Sequence, residues 1–128
     1  MKPLRWLSTQ GVALLGLFLL AAFLPGCSKQ NKLVLDSASF STAPADLKDN
    51  WQAASQSVES KDYLGAATNL VAIFNKGQQL TAEQKDALNQ AWTKLGNLAF
   101  AAANNGDKNA TEAVLKMKET GIDDRRSR

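Results

Sequence analysis

The chain is 128 residues long, with 15 basic and 12 acidic side chains, one cysteine and no histidine. That length supports one small domain with a modest core. A lone cysteine excludes an internal disulfide and a cysteine metal site, and the lack of histidine removes the commonest general base and metal ligand.

Lys2 and Arg5 form a short basic opening, and residues 11–24 form an uncharged apolar run. Basic, then apolar, then small residues is the order of an export signal. The run is shorter than the roughly 20 residues of a membrane-spanning helix. It ends in Leu24-Pro25-Gly26-Cys27, which contains the only cysteine.

This ending resembles the lipobox of bacterial lipoprotein precursors: an aliphatic residue, a small residue, Gly or Ala, then Cys. Leu24, Gly26 and Cys27 match, and Pro25 stands where a small residue is usual. The resemblance implies cleavage before Cys27, diacylglycerol on its sulfur and often an acyl group on its new amine. It implies a protein held at a membrane of the bacterial cell envelope, with no cofactor beyond the covalent lipid. By similarity to Gram-negative lipoproteins, Ser28 rather than Asp after Cys27 implies the outer membrane, facing the periplasm. One acyl chain binds a bilayer marginally, whereas two or three anchor it stably. An uncleaved anchor and a lipid-free cut near Ser28 are the competing readings.

Residues 1–26 are thus expected to be a signal peptide, and 27–43 a lipidated cysteine with a flexible, Ser-rich tether. Leu33 and Phe40 are the tether's candidates to dock on the domain. The folded part is expected over 44–121. Pro44 suits a first helical turn, and Leu47, Trp51, Ala54 and Val58 recur at helical spacing to about residue 60. Asp62 is an N-cap for a second helix carrying Ala66, Ala67, Leu70, Val71 and Phe74, with Gly77 as its stop. Thr81 and Gln84 form a capping-box pattern. A long third helix follows, with Leu88, Ala91, Trp92, Leu95, Leu98, Ala99 and Ala102. A fourth begins near 108–110, carries Ala113, Val114 and Met117, and ends by Gly121. No stretch alternates with period two, so no sheet is expected.

The expected fold is all-α: four helices as two antiparallel hairpins. Trp51 and Trp92 each supply a large area for burial. Tyr63, Phe74, Trp92 and Phe100 read as core aromatics. Trp92, Leu95, Gly96 and Ala99 are similar to the first-helix pattern of tetratricopeptide repeats, with Ala99 in place of an aromatic. Gly96 costs about 1 kcal/mol inside a helix relative to alanine, so a neighbouring helix is expected to come close there. Residues 122–128, with Asp123, Asp124, Arg125, Arg126 and Arg128, read as a charged, solvated tail.

Few routes to catalysis are visible, so a non-enzymatic protein is expected. Glu112 and Glu119 share a helical face with Lys116 and Lys118, as on an ordinary solvated surface. Glycines fall singly, without a phosphate-binding loop. Asn109-Ala110-Thr111 has the form of a glycosylation acceptor but reads as a helix start. With Lys2 and Arg5 gone, the charges are nearly level, and no nucleic-acid partner is expected. The first expectation is a lipid-anchored module that binds an envelope protein or peptide, with Trp51 or Trp92 as the aromatic anchor. The alternative is a structural envelope lipoprotein that self-associates. A carrier of an apolar ligand is a third reading, which needs a cavity on the order of 300 Å³ or more.

Overall fold

A computed structural model describes residues 33–126, all within one structural unit. The segment expected to be a signal peptide, Cys27 and the start of the expected tether lie outside the described residues, as do Ser127 and Arg128.

Five α-helices form among the described residues: α1 (Ala45–Glu59), α2 (Tyr63–Phe74), α3 (Ala82–Asn104), α4 (Lys108–Glu119) and a short α5 (Ile122–Arg126). No strand forms there. The all-helical bundle and its four main helices agree with the pattern read from the sequence. Pro44 sits just before α1, and its carbonyl accepts from the N–H groups of Leu47 and Lys48. Lys61 reverses the chain between α1 and α2 with φ of 59°, a left-handed conformation more usual for glycine.

Side chains cap the next three helices. Asp62 accepts from Gly65 N at 3.0 Å, and Asp107 accepts from Ala110 N at 3.0 Å. Thr81 and Gln84 make a complete capping box. This accounts for the burial of the Gln84 side chain, because its oxygen accepts from Thr81 N at 3.1 Å. Gly106 turns the chain from α3 to α4 with φ of 88°, where only glycine is at ease.

α2 is apolar nearly all round (Ala66, Ala67, Leu70 and Ile73 are buried), as befits a helix with neighbours on several sides. It packs against α1, α3 and α4, while α3 and α4 form the second hairpin. Asn109, in the first turn of α4, ties α4 to the start of α2. It donates to Asp62 Oδ1 at 2.8 Å and accepts from Leu64 N at 3.1 Å. In the segment that resembles a tetratricopeptide repeat, Trp92, Leu95 and Ala99 are buried. The approach to Gly96 comes from a side chain: an added Cβ would meet only Met117 Cε, at 3.3 Å.

Two boundaries differ from the sequence reading. The tether expected over 27–43 ends by Leu33. Leu33 and Phe40, the two residues expected to dock, do join the core, Leu35 and Ala43 join with them, and a 3-10 turn at Ser37–Phe40 contacts both α1 and α3. α1 and α3 barely touch each other directly, so this strap fills the space between them. Its apolar side chains gain burial there, and the Asp36 carboxylate fixes the turn by accepting from Ala38 N at 2.9 Å. At the other end, the charged tail expected over 122–128 begins as part of the fold. Ile122 is buried and starts α5.

Candidate functional site

Both tryptophans expected to anchor a partner are spent inside the protein. Trp51 is 3 % exposed and Trp92 fully buried. The Trp51 ring stacks on Phe40 with centroids 4.2 Å apart and planes 20° apart. Its Nε1 donates to the carbonyl of Asp36 at 3.0 Å. The groove that would have displayed Trp51 is therefore occupied by the chain's own strap. Trp92 meets Phe74 edge to face at 5.3 Å and donates from Nε1 to Asp123 Oδ1 at 3.2 Å. A buried indole needs such a partner for its N–H, and here that need draws α5 onto the bundle.

An open cleft of about 670 Å³ lies where the α2–α3 connection, the first half of α3 and α5 meet. Half-buried Phe74 supplies apolar surface, above a floor of Leu80 and Leu88 that is almost wholly buried. Asn75, Gln78 and Asn89 add amide side chains. Among the described residues, the charged ones that line it are Lys85 and Arg125, both cationic. Arg125 is held by the bond from its Nη2 to the carbonyl of Thr120 at 2.9 Å. The side chains of Lys85, Asn75, Gln78 and Asn89 make no hydrogen bond or ion pair among the described residues. Lys76, next to the cleft in sequence, is engaged elsewhere in an ion pair with Asp46. Trp92 lines none of this cleft but supports two of its parts, Phe74 directly and Arg125 through the docking of α5 at Asp123.

A second groove, about 280 Å³, runs between α3 and α4 over Gly96, with Phe100, Val114 and Met117 along it. Phe100 was expected in the core, but the structure leaves it 59 % exposed. It follows Ala99, which takes the buried register, and so lies at the edge of the apolar stripe.

The shifted carboxylates serve the fold. The Gly65 N–H and the Asn109 amide hold the Asp62 carboxyl below its usual range. A hydrogen bond from Lys76 does the same for Asp46. Glu83 is lowered by its own backbone N–H and by Thr81. No group of three or more potential metal ligands occurs among the described residues. No helix there is long and apolar enough to cross a membrane.

Sequence reasoning did not single out Lys85, Asn75, Gln78 or Asn89, and it placed Arg125 in a free tail. The signal that was available is the polar run Asn75-Lys76-Gly77-Gln78-Gln79 between two apolar helices, longer than a tight turn requires. No protein-family model, curated protein or solved structure matches the chain.

Proposed function

We propose that the chain is a lipid-anchored, non-enzymatic protein of the bacterial envelope that works as a protein- or peptide-interaction module. The Leu24-Pro25-Gly26-Cys27 motif supports the anchor, with Cys27 carrying the lipid. The observation that carries the interaction reading is the open cleft of about 670 Å³, which combines apolar surface with two cations and with the side chains of Lys85, Asn75, Gln78 and Asn89 that have no partner among the described residues. Its volume lies in the range of ligand sites, and its mixed lining suits an amphipathic segment better than a purely apolar ligand. The module's Trp92 segment is the part that resembles tetratricopeptide repeats.

Two experiments test the two halves of this reading. Cys27→Ser should leave the precursor unprocessed or release the protein from membranes. Unchanged recovery of a mature, detergent-extracted form would remove the anchor. A photocrosslinker at the exposed Gln78 position, used in intact cells, should capture a second protein. Capture of this chain alone would favour the alternative, a self-associating structural lipoprotein. The exposed Phe100 beside the α3–α4 groove is the feature that favours that alternative.

A further inference from the structure

The interaction reading leaves the chemistry of the partner open, and the charge of the cleft narrows it. Among the described residues, two cations and no acid line the cleft, although the chain as a whole carries 12 acidic against 15 basic side chains. Asp46, which does not line the cleft, is taken up by its ion pair with Lys76. Asp123, which does not line the cleft, accepts from Trp92 Nε1. A pair of cations beside apolar surface favours an anionic group that arrives with an apolar one.

The amides narrow the class further. Asn and Gln side chains carry the same donor and acceptor as a peptide group and can pair with an extended backbone. Inorganic phosphate would use the cations and leave the surface of Phe74, Leu80 and Leu88 without a role. A bilayer surface would call for a convex basic face, whereas these cations line a concavity.

We propose that the cleft formed by the α2–α3 connection, α3 and α5 binds an acidic peptide segment, with a ligand carboxylate between Lys85 and Arg125 and a neighbouring apolar side chain against Phe74, Leu80 and Leu88. Asn75, Gln78 and Asn89 pair with the ligand's backbone. The proposal rests on the interaction-module reading and adds the partner's chemistry to it. α5 is part of the site because it carries Arg125, and Ile122 and Asp123 hold α5 in place.

The test uses the full chain in detergent and two pools of short fluorescent peptides. One pool fixes Asp or Glu beside Leu, Val or Phe, and the other replaces the acid by Asn or Gln. The acidic pool should bind at least about tenfold more tightly, the discrimination of one charge-assisted hydrogen bond. Binding should weaken as salt is raised. Lys85→Gln and Arg125→Gln should each lower affinity for the acidic pool about tenfold and leave the amide pool unchanged. Lys85 is exposed, so Lys85→Gln should keep the parent's melting temperature, which separates loss of binding from loss of fold. Equal binding of the two pools, binding of neither, or indifference to both substitutions would overturn the proposal. So would displacement of the acidic pool by inorganic phosphate or by phosphatidylglycerol vesicles at matched charge. If the Gln78 crosslinker captures a protein while the acidic pool fails, the acidic-peptide inference falls and the module reading stands. If it captures no other protein, the module reading falls on its own.

Discussion

Gly65 sets helix propensity against a specific network, and the two give opposite signs. Propensity alone says that Gly65→Ala should stabilise the protein by about 1 kcal/mol. In the structure, a Cβ at residue 65 would overlap Asp62 Oδ2 and lie 2.8 Å from Asp62 Cγ. The Asp62 side chain would have to swing away. It would lose the bond from Gly65 N and the bond from Asn109 Nδ2. The cap contributes about 1 kcal/mol, and the Asn109 bridge between α2 and α4 about 0.5–1.5 kcal/mol per bond. Less the propensity gain, Gly65→Ala should cost about 0.5–1.5 kcal/mol, a fall in Tm of about 2–12 °C for a domain of this size. Thermal melts followed by circular dichroism, with urea titrations beside them, measure this directly. The partner variant isolates the cause. Once Asp62→Ala has removed the carboxylate, adding Gly65→Ala should raise stability by about 0.5–1 kcal/mol. A parent-background Gly65→Ala that melts at or above the parent would refute the reasoning.

Phe40→Ala should destabilise by about 3–5 kcal/mol in urea denaturation, because Phe40 is fully buried against Trp51. A neutral result would return residues 33–43 to a free tether. Trp92→Phe keeps most of the ring but loses the N–H that meets Asp123. It should cost about 1–2 kcal/mol and speed hydrogen exchange in α5 more than in α3, and equal changes in both helices would contradict this role. Stability should also fall in acid. Asp62, Asp46 and Glu83 all have lowered carboxyl pKa values. Their contributions are complete above the unfolded value of about 4 and are lost as pH drops through the folded values. Asp62→Asn keeps a capping oxygen but not the titration, so the decline of Tm below about pH 4 should become shallower. An unchanged slope would show that Asp62 has no part in it.

The helices were legible because each announces itself locally. Pro44, Asp62 and Thr81 mark starts, and the apolar spacing from Leu47 to Met117 marks the buried faces. What was not legible depends on distance along the chain. Leu33-Val34-Leu35 is too short to show a period, and only a gap between two helices makes it core. The tryptophans announce large apolar area but not its destination. Their N–H partners lie 15 and 31 residues away, on a strap and a terminal helix that had been read as tether and tail. Phe100 follows the core residue Ala99 and lies at the edge of the apolar stripe of α3, so it stays exposed beside the α3–α4 groove. The cleft has the same origin. Lys85 and Arg125 look like ordinary surface charges until the connection, α3 and α5 meet.

The strap also sets a working radius. With the lipid on Cys27, as proposed, a free chain from there to Pro44 could extend about 55–60 Å at 3.3–3.6 Å per residue. Because Leu33 is already fixed in the core, only six residue steps separate it from the anchor. Those steps span about 20 Å at most. With that anchor, the docked strap would turn a long leash into a short one and keep the bundle close to the bilayer surface. Any partner would then have to present its binding segment within that shallow layer, and releasing Phe40 from Trp51 would roughly triple the depth the bundle could sample.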